Sequence, residues 1–176
     1  MNKTKNYVSY APEFLEQSRI NLSINVTADE IAVGDKYSIK RFFTTQDIIM
    51  FAAVSGDLNP IHLDEAYAEG TRFKRPIVHG AFVMSLFSKL MGTEFPGLGT
   101  ILIKQSLEFK APVYIGDTIT AIVECVEKKG KAQLTMKCSA INEKGSEVIS
   151  GTTIILAPRV KIVREPFKLP RVAIKQ

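Results

Sequence analysis

The stretch from Gly80 to Leu90 restricts the folds open to this chain more than any other. Ala81, Phe82, Val83, Met84, Leu86, Phe87 and Leu90 occupy nearly the whole circumference of a helix, with Ser85 and Ser88 as its polar exceptions. Serines inside a helix commonly bond back to a carbonyl of the preceding turn, so they need not mark a polar face. A helix that is apolar on nearly all sides has to be enclosed. In a chain of 176 residues the enclosing element must be a sheet.

The flanking sequence supplies the strands. Lys36 to Phe43 alternates, with Tyr37, Ile39 and Arg41 on one side. After the Pro96-Gly97-Leu98-Gly99 loop, Thr100 to Lys110 alternates through Ile101, Ile103, Gln105, Leu107 and Phe109. Thr118 to Lys128 does so through Ile119, Ala121, Val123 and Cys125, and Lys131 to Ile141 through Ala132, Leu134, Met136 and Cys138. Glu147 to Leu156 completes the set after the turn at Asn142 to Gly145. Successive strands of period two joined by short turns predict an antiparallel meander. The class is therefore α+β, with an antiparallel sheet wrapped around one long buried helix.

Composition narrows the setting. A chain with 45% hydrophobic residues has enough apolar material for one domain with a core. No run approaches a membrane span, and Met1 to Lys5 lacks the apolar stretch of a signal peptide, so a soluble cytoplasmic protein is the expectation. Cys125 and Cys138 lie in alternating segments and read as small core residues. Two His and two Cys without ligand spacing do not assemble a zinc site, and no metal is expected. Much of the net charge of +5 comes from the ends of the chain. No basic helix carries base-reading side chains, and no aromatic platform is interleaved with the charges, so nucleic-acid binding is not expected. Residues 1–28 show no sustained period and form an arm that is either disordered or laid over a neighbour. Residues 29–158 form the domain. Residues 159–176, with Pro166 and Pro170 among basic side chains, read as a tail or linker.

The chemistry concentrates between Phe51 and Ser88. Thr44-Thr45-Gln46-Asp47 has the form of a helix start, Thr44 capping and Asp47 three residues on. Gly56 sits where a helix ends in a left-handed residue. Asp57 therefore opens a loop, and Asn59-Pro60 turns it. His62 follows five residues after Asp57. A carboxylate and an imidazole brought to one water or one substrate atom supply an acid and a base useful at neutral pH. Spacing alone also admits a blander arrangement, in which Asp57 caps a turn and a backbone carbonyl satisfies His62. Asp64 to Ala68 forms a short helical turn stopped by Gly70, and Arg72, Lys74 and Arg75 follow in an exposed loop. His79, the second of the two histidines, reads as structural.

The segment Phe51-Ala-Ala-Val-Ser-Gly-Asp-Leu-Asn-Pro-Ile-His62 resembles the signature of the MaoC-like (R)-specific enoyl-CoA hydratases, the hydratase 2 group with a hot-dog fold. The likeness continues through Arg75-Pro-Ile-Val-His-Gly80, the helix with Ser85 and Ser88, and Gln105-Ser-Leu-Glu-Phe-Lys110, and it covers about Ile31 to Pro158. It implies reversible hydration of a trans-2-enoyl-CoA to an (R)-3-hydroxyacyl-CoA, with Asp57 and His62 as the catalytic pair. It also implies that Ser88 supports the aspartate, that Asn59 shapes the loop and touches substrate, and that the Gly80 N–H meets the developing thioester enolate at the positive end of the helix. No cofactor is implied. The implied partners are an acyl-CoA substrate and a second copy of the chain, in a homodimer or higher homo-oligomer whose sheets continue across the interface.

Val148-Ile-Ser-Gly-Thr-Thr, with Ala157-Pro158 beyond it, further resembles the hydratase half of bifunctional enoyl-CoA hydratase/phosphate acetyltransferase proteins. That likeness implies a C-terminal phosphate acyltransferase domain in the native product. Two other functions fit the same fold. A non-catalytic acyl-CoA-binding or regulatory module has no need of an intact Asp57, Asn59, His62 and Gly80. A hot-dog thioesterase would carry its carboxylate on the central helix, and Gly80 to Leu90 holds neither Asp nor Glu.

Overall fold

The computed structural model describes residues 7–10, 22–170 and 172–175. In chain order its elements are β1 (Tyr7–Tyr10), β2 (Ser23–Ile24), β3 (Lys36–Phe42), α1 (Thr45–Ser55), α2 (Pro60–Leu63), α3 (Glu65–Glu69) and α4 (Gly80–Lys89). A π-helical turn, Leu90–Glu94, extends α4, and β4 (Ile101–Phe109), β5 (Thr118–Lys129), β6 (Gln133–Asn142), β7 (Glu147–Leu156), β8 (Val163–Arg164) and β9 (Val172–Lys175) follow. Tyr7, Tyr10, Phe14 and Leu15 are the residues of the N-terminal arm that could pack, and their side chains lie outside the described residues.

The five long strands form one antiparallel sheet in the order β3-β5-β6-β7-β4. Its inner face is the one that alternation marks: Ile119, Ala121, Val123 and Cys125 of β5, then Leu134, Met136, Cys138 and Ala140 of β6, are all buried. Val83, Leu86, Phe87 and Leu90 of the helix pack into the same core, with Phe87 and Leu90 wholly out of solvent. This is the hot-dog arrangement, a sheet curled against one central helix. Both cysteines are free and buried, and desolvation raises both thiols above their ordinary value.

Two expectations need correction. The meander holds for β5, β6 and β7, but β4 crosses to the far edge and pairs with β7 instead of with β5. Alternation records which face a residue takes, not which strand lies beside it. The 110–117 connection runs back to β5 along the helix side, where Val113 O accepts from Val78 N (2.7 Å) and Gly116 N donates to Phe43 O (2.8 Å). The helix, too, is not enclosed all round. Ala81, Ser88 and Gly92 are exposed and lie along one stripe, because a single sheet covers only one side of a helix. Ser85 does bond back, its hydroxyl donating to Phe82 O at 2.6 Å.

The chain beyond Pro158, which composition marks as a tail, is stitched to the domain as far as Arg164. β2 pairs with β8, and β1 with β9. Asn25, 1% exposed, donates through its amide to Leu98 O (3.1 Å) and Val160 O (3.0 Å) and accepts from Ile162 N (2.8 Å). Lys161 reaches both Glu30 and the Asn25 carbonyl. Proline and charge report that a segment leaves regular structure, and they say nothing of a buried amide waiting for its backbone.

Candidate active site

The site hangs from α1. Thr44 Oγ1 accepts from Asp47 N (3.2 Å) while Asp47 Oδ2 accepts from Thr44 N (2.8 Å), the reciprocal cap that the sequence predicts. Asp47 also pairs with Arg41 of β3, and both side chains are buried. The helix ends at Gly56, φ 75°, with Gly56 N bonded to Ala52 O at 2.9 Å. The loop then folds on its own polar groups. Asp57 Oδ1 accepts from Asn59 N (3.2 Å), and Asn59 Oδ1 accepts from Ile61 N (3.2 Å), capping α2, whose first residue is Pro60. Asp57 and Asn59 are exposed, while His62 on α2 is 9% exposed.

His62 Nδ1 lies 2.8 Å from Ile77 O. A carbonyl only accepts, so Nδ1 carries the proton and Nε2 holds the lone pair of the neutral ring. The blander arrangement, a turn-capping Asp and a carbonyl-bound His, is thus present, yet it uses only half of each side chain. Among the described residues no hydrogen bond engages Asp57 Oδ2 or His62 Nε2. Asp57, His62 and His79 each bring one polar atom, a carboxylate oxygen or a ring nitrogen, within 4.8 Å of the others, a span one water can bridge.

The same three side chains are the natural candidates for a metal. The two imidazoles, however, lie face to face, with ring centroids 3.8 Å apart and planes 25° from parallel. Planes so nearly parallel meet well beyond the roughly 2 Å of a metal–nitrogen bond, so one ion cannot lie in both. The arrangement suits proton transfer.

Gly80 opens α4 behind His79, whose side chain makes no capping hydrogen bond. The first N–H groups of the helix therefore point outward at its positive end. A Cβ on Gly80 would stand 2.9 Å from the Phe109 ring, so glycine is what lets β4 approach here. Beside it opens a cavity of about 240 Å³, apolar within (Ile77, Val83, Phe109, Ile149) and with Arg72 and Lys110 in its lining. Arg72, Lys74 and Arg75 are exposed, and the Arg75 guanidinium lies 4.0 Å from the centre of the Tyr114 ring.

The structure brings Asp57, Asn59, His62 and Gly80 into one region. It places Ser88 elsewhere. That residue follows His79 by nine positions, about 13 Å along the helix axis, and lines a separate cavity of about 70 Å³ with Met91, Thr100 and Gln105. Met91 lines that smaller cavity although it is almost wholly buried, and Phe95 is buried in a stack on Tyr37 at 5.5 Å. Sequence reasoning missed His79, which touches both Asp57 and His62. Its only signal was being the second histidine in a short region.

Residues 18–145 match the MaoC like domain family. The chain belongs to that family. The (R)-specific enoyl-CoA hydratase of Aeromonas caviae is 40% identical over 134 residues, covering 76% of this chain and 100% of the relative. A mitochondrial 3-hydroxyacyl-[acyl-carrier-protein] dehydratase of Arabidopsis thaliana is 34% identical over 140 residues, 77% of this chain and 82% of that protein. Among solved structures, the unliganded R-hydratase PhaJ1 of Pseudomonas aeruginosa superposes with a TM-score of 0.83 at 38% identity, over 87% of this chain and 99% of that one. The MaoC-like family and the hot-dog fold agree with the motif and with the sheet described above. The comparison with bifunctional enoyl-CoA hydratase/phosphate acetyltransferase proteins gains no support from these relatives.

Proposed function

We propose that this chain is a hydro-lyase that adds water reversibly to trans-2-enoyl-CoA, giving (R)-3-hydroxyacyl-CoA. One observation carries the reading: a carboxylate oxygen of Asp57 and a ring nitrogen of His62 lie within 4.8 Å of each other, a span one water can bridge, where the Asp57 loop meets the residue before α4. The water sits between them. One of the two removes its proton as oxygen attacks C3, the thioester carbonyl takes up charge as an enolate, and the pair returns a proton to C2. The Gly80 N–H faces the enolate oxygen, a contribution of about 3 kcal/mol by comparison with other oxyanion holes. Asn59 holds the loop by capping α2. No cofactor takes part.

Arg72 and Lys110 beside an apolar cavity suit an acyl group whose carrier bears phosphates, as coenzyme A does. The test follows the loss of crotonyl-CoA absorbance, resolves the product by chiral analysis, and runs crotonyl-pantetheine alongside. The (R)-alcohol forms, and the truncated carrier raises KM. No absorbance loss, or an (S) product, rejects the reading.

The working unit is a homodimer joined along β4. That edge strand exposes Ile101, Leu102, Ile103 and Phe109, each more than half accessible, and a bulge at Ile103 interrupts its pairing with β7. Edges this apolar are covered in stable proteins. Exposed Ala81 and Ser88 on α4 offer the small side chains that a second helix needs. Ile103→Lys should convert a dimer to a monomer in sedimentation velocity at micromolar concentration, with activity falling in step. A wild-type chain that is monomeric and fully active sinks this assembly.

A further inference from the structure

His79 lies outside the pair and touches both members of it. It is 1% exposed and occupies the position just before α4. Its Nε2 stands 3.1 Å from the main-chain carbonyl of Asp57, twenty-two residues back along the chain. One face of the ring lies on His62, and Phe51 of α1 packs against it with centroids 5.0 Å apart. The carbonyl can only accept, so Nε2 carries the proton and Nδ1 is left bare. Nδ1 is buried without a hydrogen-bond partner. A second proton there would be a charge with nothing to receive it, lying against the His62 ring.

We propose that His79 is a positioning residue for the hydration reaction: an imidazole that clamps the Asp57 backbone with its N–H and supports the His62 ring with its face. The inference rests on the function proposed above. Its consequence is that the carboxylate and the imidazole keep their spacing to within the reach of one water. The neutral face also tolerates a transient imidazolium at His62, where a second cation would repel it. The ionisable groups around His79 are Asp57 and His62, and α1 presents only the uncharged Phe51. Burial, the largest influence, lowers the basicity of His79, and the nearby His62 lowers it further against the opposing pull of the Asp57 carbonyl.

The chain has two histidines, so imidazole ¹⁵N–¹H NMR reads His62 and His79 without crowding. We expect His79 as the Nε2–H tautomer, uncharged through the range in which a free imidazole near 6.5 takes its proton. In His79→Phe, which keeps a ring but removes the N–H, kcat for crotonyl-CoA should fall about 10- to 100-fold with KM within about threefold. His79→Gln, which keeps a donor near Nε2, should recover part of the kcat loss, and the pH profile of kcat/KM should shift because the ring support of His62 is gone. An Nδ1–H tautomer, or ordinary titration of His79, overturns the proposal. So does a pair of folded variants with kcat within about twofold of wild type, or a loss confined to KM. If the wild-type chain hydrates nothing, the hydratase reading fails, while the NMR still decides whether His79 is a neutral clamp. If His79→Phe does not fold, His79→Gln and the wild-type spectrum carry the test.

Discussion

Asp57→Asn and His62→Gln should each lower kcat for crotonyl-CoA hydration by about 10²- to 10⁴-fold while leaving the melting temperature close to wild type. Each substitution keeps side-chain size and removes proton transfer. The amide in place of the Asp57 carboxylate would still offer an oxygen to Asn59 N. The amide in place of the His62 ring would still offer a donor to Ile77 O, so the local hydrogen bonds survive. Both residues lie beyond the core cluster, one in an exposed loop and one on the short helix after it. Because the two would act on the same water, the double variant should lose little beyond the worse single one. The measurement is steady-state hydration by both singles and the double, with thermal melts alongside. A folded single variant near wild-type activity would remove that residue from the chemistry, and fully multiplicative losses would assign the two to separate steps.

Asp47→Ala should produce the largest loss of stability. One carboxylate closes the cap on α1 and neutralises Arg41, which is 8% exposed. Losing one member of a buried ion pair costs about 3 to 5 kcal/mol, of which the contact of Arg41 with the Phe82 ring, 5.9 Å away, offsets part. For a domain of this size each kcal/mol moves the midpoint by roughly 2 to 4 °C, so Tm should fall by about 10 °C. Asp47→Asn keeps an oxygen for Thr44 N and should fall less. Well below the transition, kcat of either variant should remain near wild type, since the Asp57 loop hangs from the opposite end of α1. A melt of Asp47→Ala within about 2 °C of wild type would show that Arg41 finds another partner and that the cap matters little.

What the sequence disclosed follows from how local each feature is. The cap at Thr44 and Asp47, the left-handed Gly56 and the turn at Asn59-Pro60 each involve residues within four positions, and the backbone obeys them as written. The buried faces of β5 and β6 were legible because period two is a property of one strand. The place of β4 was not, since strand order depends on where a connection lands. The open stripe of α4 was hidden for a related reason: Ala81 looks like core at helical spacing and Ser88 can be satisfied by the preceding turn, and only the width of one sheet shows that they stay uncovered. His79 was read as structural because its meaning lies in contacts with residues 57 and 62, at distances no spacing rule spans. Ser88, placed beside the aspartate by resemblance, lies nine residues from His79 along α4, about two and a half turns.

The seam around Asn25 has a further consequence, in the order of folding. Its amide meets Ile162 across 137 residues of chain, a far longer closure than the hairpins β5-β6 and β6-β7 require. Loop closure must be met before such a contact returns anything, so hairpins and the helix they receive form first and the seam last. Contacts made last are commonly the first to open, and β2 and β8 share only two residue pairs. The molecule is thus fastened by a short stitch between β2 and β8, built from residues outside the Asp57 loop. Fraying there leaves the acid and the base in place.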